Sequence, residues 1–446
     1  MRTKNDNIYR GRNCLSIDHP PRNVKHTISK MALCIKAMAV LIIIHLNMVN
    51  TKMLEDNVAK KWHELNGQNH WEGLLDPLDI DMGGYIIQYG ELAQSTYDAF
   101  ITETASKYAG KCRYAKGDFF SKVGLKNGNH FKYGVTKFVY YATSSNPLPD
   151  AFVIKSSSKE ALSTESNWFG FVAVSTDEGT KVLGRRDIVI VWRGTSQRSE
   201  WINDFKFLLV SAPKVFGENA DPKVHLGWYS IYNSDDSKTS AREQVLSEVQ
   251  KLVKLYKDEE VSITVTGHSL GAAVATLNAV DIVANGYNKG APVTAFVFTS
   301  PGVGDDNFKR VVSGYKDLRI LRIENEYDPV PNHLITGLFG CSHVGEVLNI
   351  DTTKSPYLKS FILHPNTHTL EVYLHGVAGT QGTKGEFKLD EMINRDIALV
   401  NKYSAVLEDE YLVPESWWIE KNKGMVQEED GSWKLKDHEV DEDDMF

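Results

Sequence analysis

Gly267-His268-Ser269-Leu270-Gly271 is the stretch that most narrows what this chain can become. It follows a β-branched run, Val261-Ser262-Ile263-Thr264-Val265-Thr266, and precedes an alanine-rich stretch of helical character, Ala272 to Ala284. Strand, tight turn and helix form the setting in which G-x-S-x-G presents a nucleophilic serine. Glycines two residues either side of Ser269 let strand and helix backbones pass close together. The turn places the Ser269 hydroxyl at the end of a parallel strand and at a helix N-terminus. The Leu270 amide then faces any oxyanion formed there.

The surrounding chain is consistent with such a strand lying inside a sheet. Lys137 to Ala142, Phe169 to Val174, Asp187 to Trp192, Val293 to Thr299 and Leu318 to Ile323 all read as strands. The wholly apolar core of the third suits a strand covered on both faces. A helix over 240–257 opens on a Ser240/Glu243 capping box and buries Val245, Val249, Leu252 and Val253. Upstream, Val58 to Leu65 is amphipathic. Asp81 to Ser106 carries Tyr85, Ile86, Tyr89, Leu92, Ala93, Tyr97 and Phe100 at helical spacing, a stripe that reads as core. Strands alternating with helices predict an α/β-hydrolase fold: a mostly parallel, doubly wound sheet flanked by helices, with a helical N-terminal region and a lid.

Charge divides the chain. Residues 1–52 hold nine Lys or Arg against Asp6 and Asp18, while the whole chain is at −8. That total argues against nucleic acid as a partner. The arm's apolar run, Ala37 to Ile44, is too short to span a bilayer. We read residues 1–56 as an extension outside the fold, 57–426 as the catalytic domain, and 427–446, with nine acidic residues against two lysines, as a solvated tail. Cys14, Cys34, Cys112 and Cys341 show no paired spacing, which predicts a reducing compartment and no metal site. The cytoplasm is the expected location. The alternative is a plastid or a membrane surface reached through the arm.

A serine hydroxyl needs a histidine to take its proton and a carboxylate to orient that histidine. In α/β-hydrolases the chain order is serine, acid, histidine. Asp305-Asp306 and Asp328 both follow strands. Asp328 is preferred because Pro329 and Pro331 stiffen its loop, whereas Asp305 suits a helix cap. Of the later histidines, His368 opens a helical stretch just after Pro365, with His364 as a rival. His375 reads as a packed helix residue, and His333, His343 and His438 fit less well. Trp192-Arg193-Gly194-Thr195 ends the central strand, and the Thr195 amide is the second candidate oxyanion donor. Trp201, Phe205, Leu208 and Leu209 share one helical face directly after it, in the position of a lid over lipid substrate.

Taken together these residues resemble the class 3 lipases, most nearly the plant phospholipase A1 group of class II type. The resemblance runs from about Val58 onward. It is carried by the elbow, by Val191 to Thr195, by Lys354-Ser355-Pro356-Tyr357-Leu358-Lys359-Ser360, and by the stretch from His368 to Gly382. It implies Ser269 as nucleophile, Asp328 as orienting acid, His368 as general base, and no cofactor. The implied activity is hydrolysis of the sn-1 acyl ester of glycerophospholipids at a membrane or micelle surface. A neutral glyceride or galactolipid lipase, or a lipid-binding protein without turnover, is the alternative. Where the family carries arginine after Pro301, this chain has Gly302.

Overall fold

Seven strands make the central sheet, in the order β1-β2-β3-β6-β7-β8-β9. They are β1 (Tyr133–Ala142), β2 (Ser166–Ser175), β3 (Arg186–Trp192), β6 (Val261–His268), β7 (Val293–Phe298), β8 (Leu318–Asn325) and β9 (Glu346–Ile350). β4 (Leu209–Ser211) and β5 (Lys223–His225) form a separate antiparallel pair. This is a computed structural model, and it describes residues 57–446 except 127–131, 143–152, 159–165, 196–207, 219, 234–239, 332–335, 338–339, 361–364, 390–392, 394, 419–424, 428, 430–432 and 436–446. The extension 1–56 lies outside the described residues.

β1, β2 and β3 pair antiparallel, whereas every junction from β3 through β6, β7 and β8 to β9 is parallel. All residues of β3 are buried. Its alternate side chains go to opposite faces, as the two-residue repeat of a strand requires. Ile188, Ile190 and Trp192 join one apolar layer with helices Leu226–Tyr232, Ala241–Leu255 and Leu270–Ala284. Val189 and Val191 join the other, with helices Ile80–Asp98 and Leu370–Gly379. The result is the helix–sheet–helix sandwich of the α/β-hydrolases.

Local sequence explains most boundaries. Ser240 accepts from the Glu243 amide and starts helix Ala241–Leu255, as the capping box predicts. Asp305 accepts from the Phe308 amide at 2.8 Å and caps Asp306–Val312. Four departures stand out. The N-terminal helix ends at Asp98, not near 106. There the chain folds back, with Arg113 donating to the Ala99 carbonyl at 2.7 Å and Ile101 to Lys111 at 3.0 Å. β9 is an additional strand. Leu209 is not helical: it opens β4 opposite His225, because backbone pairing with β5 outweighs the local apolar periodicity. Beyond 424, Met425–Gln427 pairs with Trp433–Leu435, so part of the acidic stretch is a short two-stranded ribbon.

Candidate active site

The parallel registers bring three strand ends to one edge. Trp192 stands opposite Gly267, His268 opposite Phe298, and Phe298 opposite Ile323. Ser269, Thr299 and the turn leading to Asp328 therefore emerge side by side at the carboxyl end of the sheet, where α/β folds place their ligands.

Ser269 has φ 58° and ψ −126°, a backbone conformation that L-residues rarely adopt. Its amide bonds the Phe298 carbonyl at 3.0 Å, tying the elbow to β7. The flanking glycines are obligatory. A Cβ on Gly267 would lie 2.4 Å from the Gly271 carbonyl oxygen, and one on Gly271 would lie 2.4 Å from that of Trp192. Backbone packs directly on backbone here, with nothing flexible to give way. Leu270 is the first residue of its helix, so its amide has no acceptor within the helix.

His368 closes the turn Pro365–His368, just before helix Leu370–Gly379. Its Nε2 is 2.9 Å from Ser269 Oγ and its Nδ1 is 2.8 Å from Asp328 Oδ2. A carboxylate only accepts, so Nδ1 carries the proton and the Nε2 lone pair faces the serine hydroxyl. Asp328 is buried and well supplied. Thr299 Oγ1 donates to Oδ2 at 2.5 Å, the Tyr373 hydroxyl donates to the same oxygen at 2.7 Å, and the Val330 amide reaches Oδ1 at 3.0 Å. Burial alone would raise this carboxyl. His368 and the hydrogen bonds from His368, Thr299 and Tyr373 outweigh it and hold the group at about 2. It is therefore an anion at neutral pH.

The other expected residues divide between those the structure places and those outside the described residues. Thr195 is half-buried on the turn after β3, beside the elbow. Trp201 and Phe205 lie outside the described residues. Leu208 is 54% exposed, and its carbonyl accepts from the Leu226 amide at 2.8 Å. His364, His333 and His438 also lie outside the described residues, while His375 is buried and bonded to Ser355 at 2.8 Å, a packed helix histidine.

Residues 189–336 match the family model described as Lipase (class 3). Phospholipase A1-IIgamma of Arabidopsis thaliana is 54% identical over 402 residues, 86% of this chain and 94% of that protein. The chain belongs to the class 3 lipase family. Phospholipase A1-II 1 of Oryza sativa subsp. indica is 53% identical, over 86% of this chain and 98% of that protein. Among solved structures, a Rhizomucor miehei lipase propeptide complex is 25% identical with a TM-score of 0.38, covering 58% of this chain and 67% of that one. A lipase from Rhizopus microsporus var. chinensis is 20% identical with a TM-score of 0.41, covering 63% and 78%.

Four polar residues around the site of this class 3 lipase were not singled out from sequence: Tyr97, His268, Thr299 and Tyr373. Thr299 is β-branched and yet has φ 49°, a strained position immediately after β7. Tyr373 lies one turn into its helix, with its hydroxyl on Asp328. Tyr97 belongs to the aromatic stripe that reads as core, and only a polar tip on an otherwise apolar face hints at more. His268 was visible inside the elbow, but nothing local says what its ring meets.

Proposed function

We propose that this enzyme is a phospholipase A1, cleaving the sn-1 acyl ester of glycerophospholipids through Ser269, His368 and Asp328. The observation that carries the reading is the unbroken line from Asp328 Oδ2 through both nitrogens of His368 to Ser269 Oγ, at 2.8 and 2.9 Å. The names of relatives at 53–54% identity support the substrate class.

In the first half-reaction His368 Nε2 takes the Ser269 proton as Oγ attacks the ester carbonyl. The Leu270 and Thr195 amides hold the oxyanion, each contributing roughly 2.7–4 kcal/mol of transition-state stabilisation. Asp328 keeps the imidazolium oriented. The proton passes from His368 to the departing lysophospholipid oxygen, and the acyl group stays on Ser269. Water, deprotonated by the same nitrogen, then releases the fatty acid. Leu208 and Leu226, both exposed and joined through their backbones, support approach to a lipid surface. The cytoplasm is the proposed compartment, supported by buried free thiols at Cys112 and Cys341.

The test is product analysis on phosphatidylcholine carrying a different label on each acyl chain, with Ser269→Ala as control. Serine-dependent release of the sn-1 chain is the expected result. Release of the sn-2 chain, or identical release by parent and variant, overturns the reading.

A further inference from the structure

Ser269 sits between two pieces of chain that no strand ladder joins. One is the Arg193–Thr195 turn after β3, where the second oxyanion donor is proposed. The other is the Pro365–His368 turn that delivers the imidazole. Two hydrogen bonds and a close packing contact connect them. The Tyr97 hydroxyl packs directly against Gly194. The Tyr97 hydroxyl lies 2.8 Å from His268 Nδ1, and His268 Nε2 lies 2.8 Å from the backbone carbonyl of His368. Chemistry fixes the direction of each bond. A carbonyl can only accept, so Nε2 carries the His268 proton. Nδ1 is then a lone pair, and Tyr97 must donate to it.

The fit at the Gly194 end is tight. A Cβ on Gly194 would come within 2.1 Å of the Tyr97 oxygen and 2.6 Å of the His268 carbonyl oxygen. Arg193 is buried and anchors the same turn by donating to the Gly194 carbonyl at 2.8 Å and to Trp168 at 3.1 Å. His268 is 6% exposed and touches neither the Ser269 hydroxyl nor the Asp328 carboxylate through any of these bonds.

We propose that Tyr97 and His268 are positioning residues, a neutral hydrogen-bonded bridge that sets the separation between the Gly194–Thr195 turn and the backbone of His368. The bridge acts on the reaction by holding the general base and the oxyanion donor in register, to the fraction of an ångström that acyl transfer requires. It transfers no proton in the cycle. This inference rests on the reading of Ser269 and His368 as nucleophile and base, and does not depend on which lipid is cleaved.

The amide side chains separate the two ends of the bridge. In His268→Gln the terminal NH₂ can take the place of Nε2–H and still donate to the His368 carbonyl. In His268→Asn the amide reaches only as far as Nδ1, and that donor is lost. Tyr97→Phe removes the middle link. The readouts are kcat and KM on the soluble ester p-nitrophenyl butyrate, the rate at which a fluorophosphonate labels Ser269, and Tm for each protein. Tyr97→Phe is expected to lower kcat about tenfold and His268→Asn about a hundredfold, with KM within twofold. His268→Gln recovers most of the loss. Tyr97→Phe/His268→Asn is no slower than His268→Asn alone, because two links of one chain are not independent. The proposal is overturned if the Gln and Asn variants are equally slow, if the double variant shows the product of the two single effects, or if the losses fall on KM. It is equally overturned if activity tracks Tm across the set. If the parent hydrolyses the soluble ester through Ser269 but leaves phosphatidylcholine intact, the substrate reading fails and the bridge stands. If fluorophosphonate does not label Ser269, both fall.

Discussion

Three buried histidines make the fold vulnerable to mild acid. His225, His268 and His375 are all at or below 6% exposure. Burial, the largest cause in each case, holds their imidazoles at about 4, about 3 and about 3. His368 adds to the effect at His268, and Arg395 adds to it at His375. Unfolding returns each ring to an ordinary value near 6.5, so the unfolded chain binds protons that the native chain refuses. Stability must therefore fall as pH drops below about 6.5, by about 1.4 kcal/mol per histidine between pH 7.5 and 5.5. The three together remove about 4 kcal/mol, a large share of the stability of a typical domain. Glu91 and Asp281 are shifted up by burial, largely against their Arg partners, and oppose this trend toward the carboxylate range. The upper window is thus the cleaner one. The Asp328 carboxyl, held at about 2, gives up its contribution only as pH falls from about 4 toward that value. Urea unfolding followed by tryptophan fluorescence at pH 7.5, 6.5 and 5.5 measures the slope. His375→Gln, which can keep the Ser355 contact, should remove about one third of it. A stability at pH 5.5 within 1 kcal/mol of that at pH 7.5, or a slope unchanged in His375→Gln, refutes the reasoning.

Other perturbations test the site piece by piece. Ser269→Ala should lower kcat by about a millionfold on phosphatidylcholine. Ser269→Gly should be equally inactive yet more stable by about 1 kcal/mol in urea, because glycine relieves the positive φ. Asp328→Asn should cost about 10⁴ in kcat with the fold intact, since an amide can hold His368 in the wrong tautomer; circular dichroism and turnover together check it. Tyr373→Phe removes one donor from the Asp328 carboxylate and leaves the Asn325 amide without its 3.1 Å acceptor. It should destabilise by about 1.5–3 kcal/mol at pH 7 and move the acid transition near pH 3 upward. Gly271→Ala meets the Trp192 carbonyl at 2.4 Å and should cost about 4 kcal/mol or more, read as lost soluble expression or a sharply lower Tm.

What could be read in advance followed the range of each interaction. The elbow is five contiguous residues between a strand and a helix, so its identity is local. Asp328 was reachable because a strand end and two prolines mark its loop. His368 needed more: spacing left His364 open beside it, and the resemblance across residues 368–382 favoured one of them. Tyr97 and His268 are 171 residues apart and meet only through the folded sheet, so no window of sequence could pair them. Thr299 looked like the last residue of a strand, and its left-handed backbone has no signature in a β-branched residue. Phe207-Leu208-Leu209-Val210 is a short apolar run whose period suits helix or strand equally, and pairing with β5 decides it. β9 escaped notice for a related reason: five residues with one polar position inside carry little periodic signal.

The serine and the acid hang from the parallel strands β6 and β8, on either side of β7, but the histidine arrives 40 residues after the acid and is moored by contacts instead of a ladder. That division of labour frees chain length. The loops on either side of β9, between Asp328 and His368, can be lengthened, shortened or recombined without disturbing the strand registers that place Ser269, provided the histidine still finds its three moorings. For a designer, those loops are the first stretches to randomise in a library aimed at new acyl chains or head groups, and β6, β7 and β8 are the last.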